Sequence, residues 1–368
     1  DNFTNLKVSS SCESIPVLDI PSLAQPNQLS IDEFGDFKPN SDLTKAYFLM
    51  EDKVRNSETV IGDKRGNLYF PQQTGTVSWA PGGNLSQIEL YAYVGGAPLG
   101  GGIDSIGNLI ICDPAKGLIM VEADTRKTVF LTDRVSETSP LDPGSAVHFA
   151  DDLDISPTSG IVYFSDATKV SVQRVQAGNY ATEDASQKSF YNGATGRLLS
   201  YNPATGETLV LAKDLYFANG VALSENEDFV VVAATFSSAL FRHWLTGSKA
   251  GTTEKFVNLP GAPDGVSLGS RGTFWVAIFA PLPSLAVHAA RTPFIRWLSP
   301  QLPGFLQLKP SRTGMVVQLS PTGEVLKFLH DPTGETISSI TAVTEHDRKL
   351  YLGRIHGSGI GMYELQKM

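Results

Sequence analysis

Tyr216-Phe217-Ala218-Asn219-Gly220-Val221-Ala222-Leu223-Ser224-Glu225-Asn226-Glu227-Asp228-Phe229-Val230-Val231-Val232-Ala233-Ala234-Thr235 is the stretch that decides the fold. Phe217 to Gly220 ends in a turn-prone Asn-Gly pair. Val221 to Ser224 alternates apolar and small or polar residues. Glu225 to Asp228 is a polar break of hairpin-loop length, and Phe229 to Ala234 is a β-rich apolar run. The phrase therefore reads as loop, strand, tight turn, strand.

The same phrase recurs along the chain. Glu58-Thr59-Val60 leads through Gly62 to Asn67 into Leu68-Tyr69-Phe70. Pro98 to Ile103 leads through Asp104 to Asn108 into Leu109 to Asp113. Phe149 to Ile155 leads through Pro157 to Gly160 into Ile161 to Asp166. Pro263 to Leu268 leads through Ser270-Arg271-Gly272 into Thr273 to Ile278. Ile340 to Val343 leads through Glu345 to Arg348 into Lys349 to Gly353. With the opening stretch these make six copies, and further strand pairs lie between them, such as Gly196 to Tyr201 before Pro203 to Leu211. Self-similarity every 40 to 60 residues, with about four short strands per unit, is the signature of a β-propeller. One blade cannot bury both its faces, so neighbours stack and the ring closes. The expected fold is an all-β, six-bladed propeller spanning residues 46–368 as one domain, preceded by an irregular N-terminal arm over 1–45 that crosses the body and supplies an outer strand.

Composition agrees with that class and limits the partners. The chain has 368 residues, 41% hydrophobic and 18% charged, with 34 Gly, 22 Pro and a net charge of −9. No Lys/Arg-rich run stands out, which argues against nucleic acid. No window holds the roughly 18 apolar residues of a spanning helix. The sequence starts at Asp1 without an apolar leader, as in a cytoplasmic chain or one whose signal peptide has been removed. Asn2-Phe3-Thr4 and Asn84-Leu85-Ser86 permit N-glycosylation. Cys12 and Cys112 are either two free thiols or one bridge tying the arm to the body, and the bridge suits a secreted protein. The expectation is a glycoprotein that is secreted or in the secretory-pathway lumen, with the cytoplasm as the alternative.

Two segments break the pattern. Residues 171–193 are a polar insertion. Residues 281–312 mix apolar, aromatic and basic residues with prolines, and read as one or two short amphipathic helices over one face of the ring. They serve as a lid over the pocket, as a peripheral membrane contact, or as packing alone.

Residues just before the innermost strands converge at one mouth of a propeller. Here they are Glu58, Leu99 with Gly100, Asp151, Asn219, Asp264 and Thr341. Three carboxylates gathered there repel one another unless a cation neutralises them. Oxygen donors from Glu, Asp and Asn select a hard ion such as Ca²⁺, with Mg²⁺ or Mn²⁺ possible, and the lack of Cys or His argues against zinc. Any one of them, taken alone, is as well explained by local capping of a turn.

Several runs resemble the strictosidine synthase-like proteins: Thr195 to Leu199, Asn202 to Thr208, Leu215 to Leu223, Phe241 to Gly247, Leu259 to Gly265, Phe328 to Gly334, and Glu345-His346-Asp347 before Leu350 to Gly353. The resemblance covers nearly all of the chain after the arm. With the related adipocyte plasma membrane-associated proteins, paraoxonases and gluconolactonases, it implies a six-bladed propeller. In the hydrolytic relatives it also implies Ca²⁺ or a similar ion in the central tunnel and cleavage of esters, lactones or organophosphates. Glu58, Asn219 and Asp264 match the ligands of blades one, four and five. Asp151 stands where relatives often have Asn, and Leu99 replaces the second-blade Asn of the gluconolactonases. Strictosidine synthases proper carry a catalytic glutamate at the position of Thr341, so the condensation of an amine with an aldehyde lacks its proton shuttle here.

The leading functional expectation is metal-dependent hydrolysis of a small-molecule ester or lactone. Glu58, Asp151, Asn219 and Asp264 would hold the ion, and Asp151, Asp264 or His148 would act on the attacking water. A non-catalytic ligand- or protein-binding propeller is the alternative, and a carbon–nitrogen bond-forming lyase comes third.

Overall fold

A computed structural model of the chain describes residues 36–175, 179–298 and 311–366. Its strands form six four-stranded antiparallel sheets. The first blade runs from β2 (Ile61–Gly62) through β5 (Glu89–Tyr93), and the second from β6 (Gly101–Ile103) through β9 (Thr128–Thr132). The third runs from β10 (Ala150–Ile155) through β13 (Glu207–Leu215), the fourth from β14 (Ala218–Leu223) through β17 (Thr253–Asn258), and the fifth from β18 (Ala262–Leu268) through β21 (Val325–Asp331). The sixth combines β22 (Ile340–His346), β23 (Lys349–Arg354) and β24 (Ile360–Glu364) with β1 (Tyr47–Leu49), which pairs Tyr47 with Met362 and Leu49 with Ile360. The first strand of the described residues thus completes the last blade and closes the ring.

The core follows from the apolar faces of the strands. Six hydrophobic clusters lie one at each junction between blades. Val231 and Phe229 meet Val276 and Phe274 between blades four and five, and Val54, Leu68 and Phe70 meet Tyr351 and Met362 where blade one meets blade six. Turn chemistry sets the hairpins. Asp63 accepts the amides of Arg65 and Asn67 while Asn67 Nδ2 donates back to it, and Asp104 and Asn108 repeat the arrangement in blade two. Cys112 is a buried free thiol in β7 (Leu109–Asp113), while Cys12 and the sequon at Asn2 lie outside the described residues.

Among the described residues three α-helices interrupt the strands, all on the side where the inner strands begin, here called the front. Helix α1 (Thr182–Asn192) joins β11 (Val162–Asp166) to β12 (Gly196–Asn202). Helices α2 (Ser284–Arg291) and α3 (Pro293–Leu298) lie between β19 (Phe274–Ala280) and β20 (Gly314–Leu319), as expected of the second insertion. The helix in the first insertion is new. Its Ala185 is buried with Phe149 and Phe217, and Phe190 packs on Tyr216 and Phe236, so α1 is fastened across the front mouth.

A candidate metal centre at the front mouth

One irregularity, repeated in four blades, builds the site. The ladders between inner and second strands slip between Ala150 and Leu153, Ala218 and Val221, Pro263 and Val266, and Ile340 and Val343. Each slip is a bulge that frees two residues from pairing and lets them turn toward the axis. The first residue of each free pair is Asp151, Asn219, Asp264 or Thr341. In blades one and two the corresponding Glu58 and Leu99 precede the paired strand.

In blades three, four and five the second residue of the pair faces the next blade at very close range. A Cβ on Gly220 would fall 2.2 Å from Val266 N, and one on Gly265 would fall 2.7 Å from the Thr341 carbonyl. Only glycine fits these crossings. In blade three the place is taken by Asp152, whose carboxylate accepts the Val221 amide at 3.2 Å, and two residues on Asp154 accepts the Leu223 amide at 2.8 Å.

Glu58, Asp151, Asn219 and Asp264 are all buried, and all four line one front cavity of about 260 Å³. The Asn219 amide bonds the Asp264 carboxylate. Burial first, and then the charges of Asp151, Asp264 and Asp152, push Glu58 well above the usual carboxylate range. Burial and the Asp264 and Asp152 charges push Asp151 up, and burial with Asp152 pushes Asp264 up to about 8. The charges that act on these three acids are those of other carboxylates, so the floor of the cavity is a cluster of acids pushed toward their protonated forms in the absence of a cation. Glu58 Oε2 and Asp264 Oδ1 are buried without a hydrogen-bond partner. Orphaned carboxylate oxygens in an all-oxygen donor set fit a hard cation. Among the described residues, no three His, Cys, Asp or Glu side chains stand ready to hold an ion as they are placed. The donors converge on the cavity floor without forming a finished shell.

The walls are aromatic. Phe149, Phe190, Tyr191, Phe217, Phe236 and Phe279 surround the acids. Phe149 and Phe217 lie 5.6 Å apart edge to face, Phe217 and Phe236 5.3 Å, and Phe236 and Phe190 5.2 Å. Phe217 holds a left-handed backbone with φ of 63°, an uncommon conformation for an aromatic residue, immediately before the bulged strand β14. Helix α1 supplies Thr182, Glu183, Ser186 and Gln187 to the rim, and the second insertion supplies Pro281 to Pro283 and Ala286. Sequence reading missed the α1 contribution because the segment reads as merely polar. The Tyr216 hydroxyl donates to the Phe190 carbonyl of α1 and also bonds Arg296 of α3, so one side chain anchors both insertions. At the other end, Gln73 Nε2 reaches Thr182 Oγ1 at 3.3 Å.

Two sequence expectations need correction on geometry. His148 does not reach the cavity wall: its Nδ1 lies 3.0 Å from Ser171 Oγ, because Phe149 turns inward at that point instead. The histidine that does line the cavity is His356, with Nε2 3.5 Å from Glu183 Oε2 of α1. Thr341 is buried and its Oγ1 donates to the Glu58 carbonyl at 2.7 Å, so the position of the namesake's acid serves here as a strut between the last blade and the first.

A larger cavity of about 620 Å³ lies behind the bulges, lined by Val60, Asp152, Asp154, Leu223 and Val343 among others. Among the described residues no helix is long and apolar enough to cross a membrane.

The strictosidine synthase family profile matches residues 151–248, which include Asp151, Asn219 and the decisive hairpin. The rat adipocyte plasma membrane-associated protein (Rattus norvegicus) is 30% identical over 91% of this chain and 90% of its own. The strictosidine synthase-like 10 protein of Arabidopsis thaliana is 33% identical over 74% of this chain and 71% of its own. Among solved structures, a gluconolactonase from Xanthomonas campestris superposes with a TM-score of 0.61 at 15% identity, over 87% of this chain and 89% of that one. The calcium-binding protein regucalcin from Agrobacterium tumefaciens does so with a TM-score of 0.50 at 14% identity, over 87% and 98%. Identity of 30% or more to these two relatives, over 91% and 74% of this chain, shows that it belongs to the strictosidine synthase-like family that includes the adipocyte plasma membrane-associated proteins.

Proposed function

We propose that the front cavity hydrolyses small esters or lactones with the help of a divalent cation, Ca²⁺ before Mg²⁺ or Mn²⁺, held by Glu58, Asp151, Asn219 and Asp264. The observation that carries this reading is the buried floor of acids, with Glu58 Oε2 and Asp264 Oδ1 unpartnered, beneath an aromatic wall. The names of the two propellers of like fold, a gluconolactonase and a calcium-binding protein, agree with it. When bound, the ion would supply Lewis-acid polarisation of the substrate's carbonyl oxygen. The chain's own residues do the rest. The phenylalanines bind the apolar part of the substrate and keep bulk water out, which strengthens every electrostatic contact inside. Asp151 or Asp264 takes the proton of the attacking water at a carboxylate oxygen. The rim of Glu183, Ser186 and Gln187 meets the polar end of the substrate as it enters.

A non-catalytic binding propeller is the second reading. It is favoured by the unfinished donor geometry, which suits an ion that organises the floor without taking part in turnover. The lyase reading loses its proton shuttle at Thr341. Hydrolysis of phenyl acetate and a panel of small lactones, with and without a chelator and beside Asp264→Ala, tests the proposal. Turnover that a chelator abolishes, Ca²⁺ restores and the variant lacks is the expected result. No turnover on any substrate, with Ca²⁺ still raising the melting temperature, would overturn it in favour of the binding reading.

A further inference from the structure

We propose that Asn84 carries an N-linked glycan on the rear face of blade one, opposite the lid and the front cavity. The acceptor triplet is Asn84-Leu85-Ser86, with no proline at its centre, and it lies in the connection between β4 (Thr76–Ala80) and β5. Asn84 and Ser86 are exposed. Leu85 and Ile88 turn inward against the cluster between blades one and six, so the backbone that follows Asn84 is anchored while the Asn84 side chain faces solvent.

The local hydrogen bonds fit the chemistry of transfer. Ser86 Oγ donates to Asn84 Oδ1 at 2.6 Å and the Ser86 amide does so at 3.2 Å, which brings the hydroxyl of the triplet onto the amide to be modified. Lys53 Nζ holds the Ser86 carbonyl at 3.0 Å, and the Gln87 amide closes the turn onto the Asn84 carbonyl at 2.9 Å. The donor is a lipid-linked oligosaccharide diphosphate. The Asn84 Nδ2–C1 bond forms and the C1–O bond to the diphosphate breaks. The diphosphate leaves with the electron pair, and Nδ2 gives up one proton. No side chain of this protein takes part in the redox balance, since nothing is oxidised or reduced.

The site's position gives the modification a structural meaning. The Gly82 amide donates to Asn67 Oδ1 at 2.8 Å, which sets this connection beside the Asp63 to Asn67 turn at the rear. A glycan there shields the rear face with a bulky, hydrated group and leaves the front, with α1 to α3, as the side open to substrate.

The test is expression of the full chain through the secretory pathway of a eukaryotic cell, followed by peptide N-glycosidase digestion and mass spectrometry of the peptide that contains Asn84. The expected result is a mobility shift on digestion, of which one glycan's share is lost in both Asn84→Gln and Ser86→Ala. Asn2→Gln, which removes the other sequon, keeps that share. The melting temperature of the Asn84→Gln chain, measured after digestion of both proteins, is expected to match the parent. Recovery of the Asn84 peptide from the secreted chain without sugar would overturn the proposal.

Discussion

The hydroxyl of Thr341 donates to the backbone carbonyl of Glu58 at 2.7 Å, and so ties the inner strand of the last blade to the candidate ligand of the first. Both residues are buried, so the carbonyl would have no water to replace the lost donor. Thr341→Val keeps the shape and removes the hydrogen bond. We expect a loss of about 1–3 kcal/mol, read as a lower urea midpoint, with weaker Ca²⁺ stabilisation because the Glu58 backbone is no longer held. A Thr341→Val chain as stable as the parent would show that the strut is idle.

The lid makes a separate prediction. Tyr216→Phe removes the hydroxyl bonds to the Phe190 carbonyl and to Arg296, while the ring stays between Phe190 and Phe236. We expect about 1 kcal/mol of lost stability, with the larger effect local. Amides of α1 should exchange with solvent faster than those of the blades. Uniform exchange across the molecule would mean that the aromatic packing alone holds α1.

The buried acids predict a pH dependence with a definite sign. Folding raises Asp264 from an ordinary 3.8 to about 8, and it raises Glu58 and Asp151 in the same direction, in each case first through burial. A raised carboxylate contributes stability that is complete below its unfolded value and is lost as the pH climbs through the folded value. In chelator the melting temperature should therefore fall between about pH 4 and pH 8. The slope is about 1.4 kcal/mol per pH unit for each group that must give up its proton. Asp264→Asn should flatten that slope, and Ca²⁺ should flatten it in the parent by supplying the missing positive charge. A stability that rises over this interval in chelator would contradict the picture of the cavity floor.

Gly265→Ala tests the close crossing of blades five and six. The added carbon would lie 2.7 Å from the Thr341 carbonyl and 3.0 Å from Ala342 Cα, both backbone atoms that cannot swing aside. A cost of about 1–3 kcal/mol follows. Ca²⁺ stabilisation should drop as well, because Asp264 is the preceding residue. Calorimetry with and without Ca²⁺ separates the two effects.

The architecture could be read from the chain because each blade repeats an inner hairpin closed by a short polar turn. Asp63 to Asn67 and Asp104 to Asn108 show that turn chemistry directly. Glu58, Asp151, Asn219 and Asp264 could be picked out because they hold one place in that repeat. The bulges that aim them could not, since a slipped ladder depends on pairing between strands and leaves no mark on either strand alone. Helix α1 escaped for a related reason. Thr182 to Asn192 is mostly polar, and only the positions of Ala185 and Phe190 on the folded ring turn it into a wall. His148 was misjudged by proximity along the chain: adjacent residues before a strand face opposite ways, and Phe149 took the inward side.

The helices enter between the second and third strands of blades three and five, away from the bulged strands that carry the acids. The helical rim of the mouth and its acidic floor therefore come from different parts of the chain. A change in α1 or α2 alters the rim of the mouth and leaves in place the bulges that aim the acids.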